Sequence, residues 1–251
     1  MVPSILSNIL LVGDHMPALT FEQVEMLNKY RIYTTSPKRT LFTLERLSKE
    51  FFHDDFAPLM QGITEAKTAT AAVSHFAKRY GMFFAMQFYM LAAYDLVWDG
   101  KFIDLQFDVT EEFGTHTVAM FINPNDYRYV TEEERKYVIS SILFKQGYEV
   151  VQQLRKTTTI SPLTVWENFF IHMINIFDKL LENPLTATQA MDDIELLEDP
   201  QLWNRFSDKS LFYEFTKGKN PAELASYPTR KSCCFSMDVP GLAACGYCPR
   251  T

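Results

Sequence analysis

The chain has 251 residues, of which 47% are apolar and 22% are charged, a composition that is typical of a globular protein and excludes a disordered chain. The formal net charge of −7 argues against a nucleic-acid partner, because phosphate binding needs clustered lysines and arginines. The longest apolar stretch, residues 82–98, is shorter than the roughly 20 residues that cross a bilayer, so we expect no integral membrane segment. Residues 1–11 lack the positive region and cleavage site of a signal peptide, which predicts a cytoplasmic protein.

The first third of the chain has the pattern of helices. A capping box predicts a helix over Thr20–Tyr30, and an amphipathic segment follows over about Leu41–Met60, with an interruption near Pro58. A long helix is predicted from Thr64 through Ala93. Its C-terminal half is apolar on all sides, so we expect it to form the centre of the core.

The apolar period then changes from that of a helix to that of a strand. Leu105, Phe107 and Val109 alternate with polar residues, and a second apolar run follows over Val118–Ile122. Two such runs separated by a short turn predict a β-hairpin.

Helical patterns return after the hairpin. Acidic residues at a helix start predict a helix from Thr131 to about Lys156, and Ser161-Pro162 predicts the start of another that ends near Leu181. Shorter helices are expected around Ala187–Leu197 and Pro200–Phe206. The chain after Lys217 has the composition of a loop. These elements predict an α+β fold that is mainly α-helical, with a small antiparallel sheet.

All four cysteines of the chain lie near its C-terminus, and the first 232 residues contain none. Cys233, Cys234, Cys245 and Cys248 have the spacing Cys-Cys-x10-Cys-x2-Cys, so four thiols fall within sixteen residues. Thiolates that converge in this way predict a metal site. The tail around them has no periodic apolar face, and we expect the metal to order it.

The spacing leaves the metal open. Structural zinc sites usually carry Cys-x-x-Cys pairs at both ends, and here one end is a vicinal pair. A [2Fe–2S] cluster takes two thiolates on each iron, but the plant-type ferredoxin spacing also differs from this one. Iron–sulfur and zinc both remain candidates. Two disulfides are less favoured, because vicinal cysteines strain a bridge and the cytoplasm disfavours it.

The cysteine segment resembles a known family. Arg230-Lys231-Ser232-Cys233-Cys234 followed by Cys245-Gly246-Tyr247-Cys248 is similar to the C-terminal signature of FhuF-type ferric siderophore reductases, which carry a [2Fe–2S] cluster on such an array. Upstream, Trp166-Glu167-Asn168 resembles the Trp-x-Asn helix start of that family. The resemblance implies that residues 1–218 form a helical, α+β substrate-binding domain and residues 219–251 a cluster-binding segment.

The resemblance also implies an activity. A [2Fe–2S] cluster on the four cysteines would pass one electron to Fe(III) in a hydroxamate or citrate siderophore and release Fe(II) in the cytoplasm. The chain has no Gly-x-Gly motif, so the electron would come from an external ferredoxin or flavoprotein reductase. Arg230 and Lys231 are candidates for attracting an anionic ferric chelate, or for offsetting the charge of the cluster.

Two other functions fit the cysteines. The first is a non-catalytic binding protein in which the four cysteines hold a structural zinc. The second is a plain electron carrier, although a carrier needs little beyond its cluster and this chain has a large upstream domain. Metal content separates the first from a reductase, and saturable binding of ferric chelates separates the second.

Overall fold

The structure is a computed structural model that describes residues 17–47, 49, 53–112, 114–226 and 230–249. Residues 1–11, on which the signal-peptide argument rests, lie outside the described part of the chain. The helices are α1 (Phe21–Lys29), α2 (Leu44–Leu47), α3 (His53–Thr64), α4 (Ala69–Tyr94), α5 (Glu132–Ser141), α6 (Val150–Thr157), α7 (Pro162–Glu182), α8 (Ala187–Glu198), α9 (Leu211–Thr216) and α10 (Pro221–Ser226). A π-helix, Ile142–Glu149, joins α5 to α6, and short 3₁₀ turns occupy Pro124–Asp126, Pro200–Trp203 and Ser236–Asp238.

Two small sheets accompany the helices. Their strands are β1 (Ile32–Tyr33), β2 (Phe42–Thr43), β3 (Leu96–Trp98), β4 (Gln106–Glu112), β5 (Thr115–Phe121) and β6 (Tyr127–Tyr129). The larger sheet has the order β1-β5-β4-β2, and β3 pairs with β6 in the smaller one. The predicted hairpin is confirmed as β4–β5, with Val109 opposite Val118. The mainly helical α+β fold is also confirmed, but the larger sheet is mixed because β1 runs parallel to β5.

Helices α4 and α7 pack against each other and form the centre of the core. Phe83, Phe84 and Phe88 of α4 are fully buried, as expected for a helix that is apolar on all sides. Gly81 allows the close approach, because a Cβ atom there would lie 2.9 Å from the backbone oxygen of Asn168 on α7. This contact brings the first turns of α4 and α7 to the same end of the molecule.

Two predictions about local structure are wrong in part. The segment Leu41–Met60 is not one amphipathic element but divides into β2, α2 and α3, with Pro58 inside α3. The buried side chains Phe56 and Met60 hold α3 on both sides of Pro58, which outweighs the lost backbone hydrogen bond. The predicted helix from Thr131 to Lys156 contains the π-helix.

The tail is more ordered than its sequence suggests. The stretch predicted to be loop contains α10, whose Leu224 is buried, and Val239 further along is buried as well. Apolar contacts of Leu224 and Val239 therefore help to hold this segment, and the contribution of a metal to its order stays a prediction.

Among the described residues, no helix has both the length and the apolar character that crossing a bilayer requires.

A buried ion pair ties α5 to its neighbours. The guanidinium of Arg135 donates two hydrogen bonds to the carboxylate of Asp193 on α8, at 2.7 and 2.8 Å, and both side chains are excluded from solvent. It also donates to Asp95 and to the carbonyl of Leu91 at the end of α4. One side chain thus joins the first turn of α5 to the middle of α8 and to the C-terminal end of α4.

We expect Arg135→Met to lower the free energy of unfolding by about 3–5 kcal/mol, because it leaves the buried Asp193 carboxylate without its cationic partner. Urea denaturation followed by circular dichroism measures the change. The matched control is Lys49→Ala, which breaks the exposed pair with Glu45 and should cost less than about 0.5 kcal/mol. Equal effects of the two substitutions would contradict the role of the buried pair.

Candidate metal centre

The four cysteines line a single small pocket at the surface, which we call the cysteine pocket. Phe235, Ser236, Met237, Asp238 and Ala244 complete its lining. All four cysteines are free thiols; Cys234 and Cys248 are buried, whereas Cys233 and Cys245 are half-buried. The fold therefore brings together the four side chains that the spacing singled out.

Within the pocket, one pair of sulfurs lies close to the distance that a shared metal requires. The Sγ atoms of Cys234 and Cys245 are 3.3 Å apart. Two thiolates bonded to one tetrahedral metal at about 2.3 Å would be roughly 3.8 Å apart. In the described part of the chain, no three His, Cys, Asp or Glu side chains come close enough to hold one metal ion. Metal binding would therefore draw Cys233 and Cys248 towards the pair.

The donor set suits a thiophilic metal. Thiolates select zinc, copper(I) and iron–sulfur clusters, whereas hard cations take oxygen ligands. The pocket contains one carboxylate, Asp238, whose nearest cation is Lys67 at 3.9 Å. The chemistry of the pocket therefore fits either of the two metal centres that the sequence leaves open.

A lysine of α4 reaches the pocket from the protein side. Lys78 donates a hydrogen bond from Nζ to the hydroxyl of Ser236 at 2.8 Å, and that hydroxyl lies 3.1 Å from the Sγ atom of Cys234. No described carboxylate forms an ion pair with Lys78. A half-buried ammonium without a carboxylate is costly unless negative charge lies nearby, and the cysteine sulfurs are the groups positioned to supply it.

The electrostatics of the close sulfur pair agree with this geometry. Burial would raise the pKa of the Cys234 thiol, but the charge of Lys78 and the hydrogen bonds from Ser236 outweigh it and lower the pKa to about 7. The pKa of Cys245 is raised by burial and by its hydrogen bond to Cys234. One thiolate is thus favoured in the pair, and thiolates are the form that binds metal.

A neighbouring histidine contributes no positive charge. His172 of α7 is half-buried, and loss of water around its ring together with the charges of Lys78 and Arg79 lowers its pKa to about 3. It is therefore neutral at physiological pH, and Lys78 is the cation that acts on the sulfurs.

The chain that enters the cysteine pocket is held by a carboxylate of α7. Glu167 accepts backbone hydrogen bonds from Lys231 and Ser232, both at 2.9 Å, and also accepts the hydroxyl of Ser232. Its side chain is 1% exposed. The two residues before Cys233 are thus fixed to α7.

Further hydrogen bonds hold the rest of the tail. Ser74 of α4 donates to the carbonyl of Cys234 at 2.9 Å, and Thr115 of β5 donates to the carbonyl of Pro240 at 2.7 Å. The phenol of Tyr247, between the last two cysteines, donates to Asn175 of α7 at 2.9 Å. The cysteine loop therefore rests on α4, α7 and the hairpin together.

The two residues proposed to attract substrate have different positions. Arg230 is 6% exposed, and its guanidinium donates to the side chain of Asn168 at 2.7 Å and lies 3.8 Å from the carboxylate of Glu167. It anchors the tail from inside the protein. Lys231 is exposed beside the first cysteine. A role in attracting substrate remains a prediction and fits the position of Lys231 better.

Four residues of this centre lie outside the predicted ligand set: Glu167 and Asn168, which belong to the Trp166-Glu167-Asn168 segment that resembles the family motif, and Ser74 and Ser236. A signal was available for two of them, since Glu167 and Asn168 are polar residues on a helix face that is otherwise apolar. Ser74 and Ser236 gave none, because serine is common at helix surfaces and in turns.

The Lys78 interaction predicts a pH dependence in the metal-free full chain. Iodoacetamide should alkylate Cys234 with a midpoint near pH 7, since the thiolate reacts and the thiol does not. Lys78→Met should move the midpoint upward, towards the ordinary thiol range. Mass spectrometry of the labelled peptide measures it. Lys67→Met removes an exposed lysine next to the same loop and is the control; an unmoved midpoint in Lys78→Met would refute the interaction.

The Glu167 interaction predicts how firmly the tail is docked. Hydrogen bonds to a charged group are each worth about 1.5–3 kcal/mol, so Glu167→Ala should increase opening of residues 230–249 more than tenfold. Hydrogen exchange of the tail amides measures this opening. Glu182→Ala, an exposed change at the other end of α7, should leave the exchange rates unchanged.

No family model, curated protein or solved structure was found to match this chain.

Proposed function

We propose that this protein is a ferric-siderophore reductase that holds a [2Fe–2S] cluster on Cys233, Cys234, Cys245 and Cys248. The observation that carries the proposal is the cysteine pocket itself, in which four free thiols line one cavity beside an ammonium that has no carboxylate partner among the described residues. The resemblance of the cysteine spacing to FhuF-type reductases supports the choice of cluster and of substrate.

The positive charge of Lys78 beside the pocket supports a metal–thiolate centre, whether iron–sulfur or zinc. Four thiolates outweigh the positive charge of a [2Fe–2S] core or of a zinc ion, so the occupied pocket is negative. Lys78 stabilises that charge through the hydroxyl of Ser236, which lies between its ammonium and the Sγ atom of Cys234. The backbone N–H of Phe235 donates to the Sγ atom of Cys233 at 3.3 Å. Hydrogen bonds to the sulfurs and nearby positive charge raise the reduction potential of an iron–sulfur centre.

Reduction suits a substrate in which hard oxygen donors hold Fe(III). When bound, the cluster supplies one electron at a time, and Fe(II) is held far less firmly by hydroxamate or citrate oxygens. The protein's own residues shape where the chelate approaches. Cys233 and Cys245 are the less buried ligands, and Met237 at the rim is 45% exposed. Lys231 stands at this side and would attract an anionic chelate.

The electron donor is part of the proposal. The chain lacks a Gly-x-Gly motif for a nicotinamide or flavin dinucleotide, so a ferredoxin or a flavoprotein reductase would recharge the centre. Both donors and ferric chelates occur together in the cytoplasm, which is the compartment we propose.

The test is an anaerobic ultraviolet–visible spectrum, with iron, zinc and acid-labile sulfide counted on the same sample. We expect two irons and two sulfides per chain, with visible bands that bleach on reduction and return when a ferric siderophore is added. Cys245→Ser should lower the cluster content and the reductase rate together. Ala244→Ser adds the same hydroxyl to the pocket without removing a ligand, and should retain both.

Two outcomes would contradict the proposal. A colourless protein with one zinc per chain would establish a metal-stabilised binding protein in its place. A coloured protein that transfers no electrons to any ferric chelate would leave an electron carrier.

A further inference from the structure

One residue of the cysteine loop has a backbone conformation that its side chain disfavours. Phe235 directly follows Cys234, and its φ of 57° and ψ of 21° lie in the left-handed region. Residues other than glycine rarely take a positive φ, and the conformation costs on the order of 1–3 kcal/mol. Glycine and asparagine adopt it far more readily than an aromatic residue. A phenylalanine in this conformation therefore needs a structural or functional reason.

The end of a helix does not supply that reason. Among the described residues, four others that are not glycine have a positive φ, and each follows the last residue of a helix by one or two positions. They are Arg31, Glu65, Asp95 and Lys217. A left-handed residue at such a position is a common way for a helix to end. Phe235 instead follows a thiol and precedes the 3₁₀ turn Ser236–Asp238.

The left-handed turn directs hydrogen-bond donors towards the sulfurs. The backbone N–H of Phe235 donates to the Sγ atom of Cys233 at 3.3 Å. The hydroxyl of Ser236 lies 3.1 Å from the Sγ atom of Cys234, and a backbone hydrogen bond from Ser236 also helps to lower the pKa of that thiol. Consecutive N–H groups around a left-handed residue form a concavity that binds anions, as at many iron–sulfur sites. The turn is therefore suited to two adjacent thiolates.

Contacts on both sides of Phe235 hold the turn in place. The carbonyl of Cys234 accepts from the hydroxyl of Ser74 on α4 at 2.9 Å, and the carbonyl of Phe235 accepts from the N–H of Asp238 at 3.0 Å. The N–H of Lys67 donates to the carbonyl of Asp238 at 2.8 Å. A strained conformation persists only where surrounding contacts determine it, and such residues cluster at functional sites.

We propose that Phe235 is a positioning residue for the metal centre, because its left-handed backbone holds hydrogen-bond donors against the sulfurs of Cys233 and Cys234. The proposal rests on a metal–thiolate centre in the cysteine pocket, as the proposed function does, but not on reduction of a siderophore. Hydrogen bonds to the sulfurs stabilise the more negative, reduced state of an iron–sulfur centre, so their loss lowers the reduction potential. For zinc, the same loss weakens binding of the metal.

The test compares Phe235→Val with Phe235→Asn. Both substitutions remove the ring, but valine is branched at Cβ and resists a positive φ, whereas asparagine accepts it. With a cluster bound, spectroelectrochemical titration should give a lower reduction potential for Phe235→Val and a potential close to that of the wild type for Phe235→Asn. With zinc bound instead, competition with a chelator should show about tenfold weaker binding in Phe235→Val and less than about twofold weaker binding in Phe235→Asn.

Lys217→Val is the control for backbone strain alone. It places valine at a left-handed position that ends α9 and lies outside the cysteine pocket. It should lower the stability of the chain to urea without changing the reduction potential or the affinity for zinc.

Three results would overturn the proposal. The first is an unchanged potential and zinc affinity in Phe235→Val, or a chain that binds neither metal. The second is an equal change in Phe235→Val and Phe235→Asn, which would show that the ring matters and the backbone does not. The third is an effect of Lys217→Val as large as that of Phe235→Val. A zinc-loaded chain with the expected order of affinities would support the role of Phe235 and contradict the proposed reductase, so the two proposals fail separately.

Discussion

The position of the cysteine segment depends on one buried carboxylate. Glu167 is excluded from solvent, and the groups that satisfy it include two backbone N–H groups and a hydroxyl from the chain just before Cys233. A buried charge without partners destabilises a fold, so docking of the tail and stability of α7 depend on each other. The neighbouring Asn168 extends this coupling, since it accepts from Arg230 and donates to Ser74 of α4.

Helix α4 connects the cysteine pocket to the π-helix. Lys78 reaches the cysteine pocket, whereas the hydroxyl of Tyr80 donates to the backbone carbonyl of Gln146 on the π-helix at 2.9 Å. Residues two apart on a helix point to nearly opposite sides, which lets one element support both. The approach of α4 to α7 at Gly81 brings Ser74 and Lys78 to the tail.

Local pattern was enough to predict much of the fold. The capping box at Thr20, the alternating residues of the hairpin and the proline at the start of α7 each act over a few neighbours, and the structure confirms all three elements. The four cysteines were predictable as one group because sixteen residues of chain keep their sulfurs near one another. The short strands β1 and β3 were missed, since two or three residues carry no periodicity.

The sequence by itself therefore determined most of the longer helices, the hairpin and the grouping of the four thiols. Only the tertiary structure decided what surrounds them. Glu167 lies 65 residues from Ser232 and Ser74 lies 160 residues from Cys234, so their contacts arise from the packing of α4 on α7. The same packing places Lys78 beside Ser236. Hydrophobic periodicity indicates which face of a helix is buried, but not which distant residues that face will meet.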